Sequence, residues 1–84
     1  MVKIHELKTV SPFFEAAWCD LKTFEVRLND RNFQEGDWVE LREYDIVKKD
    51  YTGRKLSVMI SYILNDPRFC LPGYVIFAFV RRTE

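Results

Sequence analysis

Short segments in which apolar and polar residues alternate are what most constrain the fold of this chain. The alternation is clear in residues 24–28, 38–44 and 56–62, and looser in residues 2–7. A period of two residues is typical of β-strands that bury one face. Residues 74–80 are apolar throughout, which favours a strand in the middle of a sheet or closed barrel, covered on both sides. The sequence therefore predicts five strands, the first of them paired inside a sheet.

One segment departs from this pattern and predicts a single helix after the first strand. Ser11 followed by Pro12 is typical of a helix N-terminus, with the serine hydroxyl as the cap. Phe14, Trp18 and Leu21 follow at helical spacing, so we expect a short amphipathic helix that ends near residue 21. Turns are predicted where glycine or proline interrupts the strands, at residues 36–37, 50–53 and 72–73.

The length and charge of the chain limit what it can be. Its 84 residues allow one domain, spanning residues 1–84, with a single hydrophobic core. The 13 basic residues balance the 13 acidic ones, so any affinity for nucleic acid must come from a local patch. Aromatic residues make up 15% of the chain, which supplies enough apolar area to fold without a metal or a disulfide.

The cysteines and the hydropathy indicate a soluble, cytoplasmic protein without a cofactor. Cys19 and Cys70 lie far apart, with no C-x-x-C spacing and no secretory signal before them. We expect both to be small buried apolar residues. With one histidine in the chain no zinc site can be assembled, and no metal is expected. The longest apolar stretch is far shorter than the roughly 20 residues that a membrane span requires.

A cluster of charged side chains is the candidate binding site. Lys22, Glu25 and Arg27 lie close together in the sequence. Arg27 can hold a phosphate or a base edge through its planar fork, and Lys22 offers a point charge. Glu25 weakens the attraction for phosphate, so its presence favours a site that reads amino or imino groups on a base edge.

The strand that carries this cluster is expected to be half-buried. Phe24, Val26 and Leu28 should face the core, and Glu25 and Arg27 should point away from it. In that orientation the two charged residues could also form an exposed structural ion pair, which would contribute only about 0–1 kcal/mol to stability. The residues alone leave both alternatives open.

The order of these features resembles a known family over nearly the whole chain. A strand and a helix are followed by Lys22-x-x-Glu25-x-Arg27, a turn at residues 36–37 and a late strand after residues 72–73. This order is similar to that of the ASCH family of the PUA-like superfamily, whose signature is G-x-K-x-x-E-x-R after the first helix.

One position of that signature differs here. Asp20 stands where the family has glycine, which would suit a left-handed residue at a helix C-terminus better than aspartate does. Residues 5–8 and 29–33 also resemble a short, largely prokaryotic and phage-associated branch of the superfamily.

The resemblance implies an α+β fold, a small PUA-like mixed β-barrel of about five strands with one helix after the first strand. It also implies a cleft between barrel and helix that contacts RNA or a nucleotide. We therefore predict an RNA- or nucleotide-binding module without catalysis. Its expected binding residues are Lys22, Glu25, Arg27, His5, Asn29 and Arg31. His5, Trp38 and Tyr44 are candidates to stack on an unpaired base, although their spacing also fits ordinary strand packing.

Two other functions stay open. Some ASCH-like proteins resemble amidohydrolases that act on acylated cytidine through a lysine, a threonine and a distant carboxylate. Lys22 would supply the lysine and Thr23 is the nearest hydroxyl, but Glu25 stands at the threonine position and the insertion with the distant carboxylate is missing. The other alternative is a protein-interaction adaptor, which an exposed apolar patch away from the Lys22 cleft would favour.

Overall fold

The structure, a computed structural model, describes residues 3–81 and contains five strands and one helix. They are β1 Ile4–Val10, α1 Ser11–Trp18, β2 Phe24–Leu28, β3 Trp38–Asp45, β4 Asp50–Leu64 and β5 Tyr74–Arg81. The strand order is β1-β3-β4-β5-β2, with β1 parallel to β3 and the other pairs antiparallel. The sheet curls into a half-barrel. The radius of gyration of the domain, measured on its Cα atoms, is 12.8 Å. A small mixed barrel-like domain with one helix after the first strand is thus confirmed.

The core lies inside this half-barrel, where alternate residues of the strands meet the buried face of α1. The helix packs against β1 and β3 and contributes Phe14 and Ala17. The buried apolar residues are Leu7, Phe14, Ala17, Phe33, Val39, Leu41, Leu56, Val58, Ile60, Val75, Phe77 and Phe79.

Two strands largely follow the sequence pattern. β3 turns Val39 and Leu41 inward and places Glu40 and Arg42 on the outer face, in keeping with the alternation of residues 38–44. β5 lies between β4 and β2, so its predicted interior position is confirmed. Its outer face is only partly covered, however, because Val80 is 46% exposed.

β1 pairs within the sheet, as predicted, and lies at its edge. It pairs with β3 alone, and its other edge faces β2 across a gap that we call the seam. Side chains close the seam: Arg27 Nη2 donates to Lys8 O at 2.9 Å, and Arg31 Nη1 donates to Glu6 O at 3.0 Å. Glu6 and Lys8 are two residues apart, so their carbonyl groups point to the same edge of β1. The predicted start of β1 at Val2 lies outside the described residues.

β2 faces the opposite way from the prediction. Glu25 is 4% exposed, whereas Phe24, Val26 and Leu28 are 47%, 53% and 49% exposed. The expectation was wrong because alternation separates the two faces of a strand without showing which face is buried. A carboxylate can lie inside when cations pair with it, and Glu25 has two such partners.

The β3–β4 hairpin is longer than predicted. Its turn lies at residues 46–49, so the turn expected at residues 50–53 is wrong and those residues belong to β4. The pairing register shifts between Arg42 and Tyr44, which leaves residues 52–54 as a bulge opposite the single residue Glu43. Gly53, with φ of 94°, supplies the positive φ that the bulge requires.

This bulge directs two side chains at the buried carboxylate of Glu43. Thr52 Oγ1 donates to it at 2.6 Å and Arg54 Nε at 2.9 Å. Arg54 also donates to Glu15 of α1 at 2.8 Å and lies over two aromatic rings of the helix. The Arg54 and Thr52 hydrogen bonds lower the pKa of Glu43 from 4.5 to about 2. Through its contacts with Glu43 of β3 and Glu15 of α1, Arg54 therefore holds α1 against the sheet.

The ends of α1 differ from their prediction. Val10 is the N-cap residue, and the Ser11 hydroxyl donates to Tyr44 O at 3.3 Å, so the expected serine cap is wrong. The helix ends at Trp18, earlier than expected. Asp20 follows with φ of 61°, in the left-handed region that glycine adopts most easily. Asp20 is the position where this chain has aspartate in place of the glycine of the ASCH signature, and its left-handed conformation carries some backbone strain.

Both cysteines are free thiols, and neither is fully buried. Cys19 is exposed and Cys70 is half-buried, so the expectation that both are core residues is wrong. Cys19 follows the end of α1, and its Sγ donates to Glu15 at 3.3 Å. Among residues 3–81, no helix has the length and apolar character needed to cross a membrane.

A matched pair of valines tests the orientation of β2. Val75 is 1% exposed on β5, and Val26 is 53% exposed on the neighbouring β2. Val75→Ala should lower the free energy of unfolding by about 1.5–3 kcal/mol, because a buried side chain is lost and a cavity remains. Val26→Ala should change it by no more than about 0.5 kcal/mol. Urea denaturation measures both, and equal losses would contradict the inverted β2.

The low pKa of Glu43 predicts an acid-sensitive contribution to stability. A carboxyl whose pKa is depressed by folding stabilises the protein above its unfolded pKa of 4.5, and that contribution is lost as the pH falls towards about 2. In Glu43→Gln, the unfolding free energy should therefore fall less steeply across this window than in the wild type. Glu40→Gln removes a carboxylate from the other face of β3, leaves the Glu43 contacts in place and should keep the steep fall. Urea midpoints measured at several pH values provide the test.

Candidate functional site

A cleft with a volume of about 470 Å³ opens on the outside of the seam between β1 and β2. This size is typical of pockets that hold small molecules. The residues that line it are Lys8, Thr9, Val10, Phe13, Lys22, Phe24, Glu25, Val26 and Arg27. They come from β1, from the first turn of α1, and from β2 with the residues just before it.

The walls of the cleft are mainly apolar. Phe13 of α1 and Phe24 of β2 are 57% and 47% exposed, and both line the cleft. Val10 and Val26 add aliphatic surface from the outer faces of the two edge strands. A flat ligand with apolar faces could therefore pack against these walls.

The floor is a buried carboxylate held between two cations. Glu25 Oε2 accepts a hydrogen bond from Lys22 Nζ, and Glu25 Oε1 accepts one from Arg27 Nε at 2.9 Å. The side chains of Glu25, Lys22 and Arg27 are only 5%, 17% and 24% exposed. Glu25 and Arg27 thus form an ion pair, as the alternative expected, but the pair is buried instead of exposed, since the carboxylate lies inside the half-barrel.

Arg27 joins this floor to the opposite wall. Its Nη2 donates to Lys8 O at 2.9 Å and lies 3.3 Å from Thr9 Oγ1. Its Nη1 makes no hydrogen bond to any residue in the range 3–81 and can still donate to a ligand. Arg27 therefore closes the seam and lines the site at once.

The structure brings three of the six predicted binding residues into the cleft and places His5 elsewhere. His5 is buried on β1, with its Nε2 2.8 Å from Asp37 Oδ2 and its ring edge-on to Phe33 at 4.8 Å. Burial raises the pKa of Asp37, but hydrogen bonds from His5 and the backbone of Gln34 outweigh it, so the net shift is downward. This pair links β1 to the start of β3.

The other two predicted residues also have structural partners outside the cleft. Asn29 Oδ1 accepts a hydrogen bond from the backbone N–H of Phe33 at 3.0 Å, which stabilises the loop after β2. Arg31 donates to Glu6 O across the seam and lies 3.7 Å from Asp30. Neither lines the cleft, and we assign both to the support of the fold around it.

The other two candidates for base stacking, Trp38 and Tyr44, are half-buried strand residues. Trp38 lies at the start of β3, and Tyr44 packs edge-on against Tyr51 at 5.1 Å. Neither lines the cleft. Tyr44 is nevertheless adjacent to the cleft. The ammonium of Lys8, which lines the cleft, lies 4.3 Å from the centre of the Tyr44 ring.

Sequence reasoning missed the residues that β1 and α1 contribute to the cleft. One signal was present for Thr9, which is a polar residue in the inward register of His5 and Leu7. Phe13 had no comparable signal, since it falls outside the helical spacing of the buried face. Its role depends on how α1 packs against the seam. In the described part of the chain, no group of histidine, cysteine or acidic residues is arranged to hold a metal ion.

Two comparisons with known proteins cover most of this chain. A family model described as "Domain of unknown function (DUF3850)" matches residues 4–79. The chain is also similar to an uncharacterized 12.9 kDa protein in the GpA 3' region of Escherichia phage P2. The two are 38% identical over 76 residues, which cover 90% of this chain and 67% of the phage protein. The family match includes every residue that lines the cleft.

The buried carboxylate of Glu25 predicts a stability effect that an exposed one would not show. Glu25→Gln leaves the cations of Lys22 and Arg27 close together without a counter-charge. We therefore expect the free energy of unfolding to fall by about 1–3 kcal/mol. Glu6→Gln is the control, because Glu6 is exposed and bonded to Arg42, and should cost no more than about 1 kcal/mol. Urea denaturation of both variants is the measurement, and a neutral Glu25→Gln would count against the charged floor.

Proposed function

Because the chain belongs to the DUF3850 family of domains of unknown function, we propose its function from its own geometry: the cleft binds a nucleobase, carried by a nucleotide or by RNA. The observation that carries this proposal is the carboxylate of Glu25 at the floor of a cleft with aromatic walls. Apolar walls match the faces of a base, and a charged floor matches its polar edge.

The walls favour a base over a bare phosphate. Phe13 and Phe24 are exposed in the cleft and offer two aromatic surfaces, on which any base can stack. Glu25 argues in the same direction, since a carboxylate at the floor repels an anion and attracts the N–H groups of a base edge.

Glu25 keeps acceptor capacity for such a contact. Its two carboxylate oxygens have about four acceptor positions, and Lys22 and Arg27 occupy one oxygen each. An amino or imino group of a base can share the remaining positions. Arg27 Nη1 can donate to a neighbouring acceptor on the same base edge, so floor and guanidinium together would distinguish bases by their pattern of donors and acceptors.

The resemblance to the ASCH family supports the same function. We propose that the half-barrel is PUA-like and that Lys22, Glu25 and Arg27 form the ligand-binding signature which that resemblance implies. Their meeting in one cleft accords with this assignment. A cytoplasmic setting, where nucleotides and RNA are available, belongs to the proposal.

The geometry gives less support to an amidohydrolase. A lysine that acts as a base must release its proton, but Lys22 Nζ donates to both Glu25 and Phe24 O. Thr23 is exposed and does not line the cleft, so it is poorly placed as a nucleophile. The hydroxyl that does line the cleft belongs to Thr9, which lies on β1 beside the guanidinium of Arg27.

One observation favours a protein partner as the second candidate function. Phe24, Val26 and Leu28 form an exposed apolar row along the outer face of β2. The first two residues also line the cleft, but Leu28 does not. Exposed apolar surface of this kind is common at interaction sites. Leu28→Ala changes the row without changing the cleft and therefore separates the two functions.

An NMR titration of labelled protein with nucleosides, nucleotides and short single-stranded RNAs tests the nucleobase proposal. We expect shifts confined to residues 8–13 and 22–27. Phe24→Ala should weaken binding about tenfold or more, because it removes a stacking surface without removing a core residue. Leu28→Ala is the matched control, since Leu28 is equally exposed on the same face, and its affinity should equal that of the wild type. No shifts at a ligand concentration of about 1 mM would contradict the proposal.

A further inference from the structure

We infer that Lys8 binds a phosphate group, so that the cleft prefers a phosphorylated nucleoside, free or within an RNA strand, to an unphosphorylated one. This inference rests on the proposed function and adds a residue that the ASCH signature does not contain. It follows from the charge in the cleft, from the surroundings of the Lys8 ammonium and from its position at the rim.

The cleft contains more positive charge than its carboxylate can neutralise. Lys8, Lys22 and Arg27 line it together with the single acidic residue Glu25. Glu25 contacts Lys22 and Arg27 directly, one through each carboxylate oxygen. Among residues 3–81 no acidic side chain makes a comparable contact with Lys8, so its charge remains available to a ligand.

The Lys8 ammonium is held in place without being neutralised. It lies 4.3 Å from the centre of the Tyr44 ring and makes no hydrogen bond or ion pair with any residue in the range 3–81. The ring attracts the cation but brings no negative charge. Glu6 and Glu40 lie on the same outer face, but Arg42 engages both, at 2.6 Å and 2.7 Å. An anionic ligand would thus be the first anion to contact Lys8.

Lys8 and Glu25 lie at different depths of the same cleft, as the phosphate and the base edge of a bound nucleotide would. Lys8 is exposed on the outer face of β1, whereas Glu25 is buried at the floor of the same cleft. A base that reaches Glu25 leaves its sugar and 5′-phosphate towards the rim. Phosphate is highly hydrated and suits a solvent-exposed position, where the point charge of a lysine can bind it.

Dissociation constants of the four ordinary nucleosides and their 5′-monophosphates test the inference in three proteins. In the wild type, the nucleoside that binds best should bind roughly tenfold more tightly as its 5′-monophosphate. Added salt should reduce this difference in affinity between the two ligands. In Lys8→Gln this difference should disappear through a loss of affinity for the monophosphate. Lys48→Gln is the control, since Lys48 is an exposed lysine in the β3–β4 turn, and it should behave as the wild type.

The outcomes separate this inference from the proposed function. If nucleoside and monophosphate bind equally, or if the difference persists in Lys8→Gln, the role of Lys8 is overturned while nucleobase binding stands. If neither ligand binds the wild type, both proposals fall. A trinucleotide of the preferred base, measured in the same proteins, distinguishes the two sources of the phosphate, because only an RNA-binding site should bind it more tightly than the monophosphate. Inorganic phosphate alone should bind weakly, since it cannot use the apolar walls.

Discussion

The seam between β1 and β2, and the cleft beside it, depend on one buried carboxylate. Glu25 lies inside the half-barrel between Lys22 and Arg27, and this pairing permits a charged residue where an apolar one was expected. Arg27 then extends across the seam to the backbone of β1. Because the two edge strands are joined by side chains instead of a backbone ladder, a gap remains between them. The cleft opens on the outside of that gap.

The same residues thus serve the fold and the site. Arg27 closes the seam and still has a donor for a ligand, and Glu25 neutralises two cations while its oxygens keep further acceptor positions. The orientation of β2 has two effects as well. It buries Glu25 on the inner face of the strand, and it places Phe24 and Val26 on the outer face, where they line the cleft. The α1 end of the domain is fixed separately, through the contacts of Arg54 with Glu43 and Glu15.

The sequence predicted the features that depend only on neighbouring residues, such as where a strand or a helix forms. The alternation of β3 and the Ser11-Pro12 start identified these elements, because period and backbone preference act over a few residues. The direction of β2 could not be predicted this way, because alternation separates the two faces of a strand without showing which face is buried. The charged core of the site, Lys22, Glu25 and Arg27, was visible as a sequence cluster. Lys8 and Phe13 were not, because the sheet order and the packing of α1 bring them there.

A crystal structure of the protein with the tightest-binding nucleoside monophosphate tests the central claim most directly. The account predicts the base between the walls of the cleft, with an N–H group of its edge about 3 Å from a carboxylate oxygen of Glu25. A base that lies on the outer row of β2, or that reaches the cleft without contacting Glu25, would contradict it.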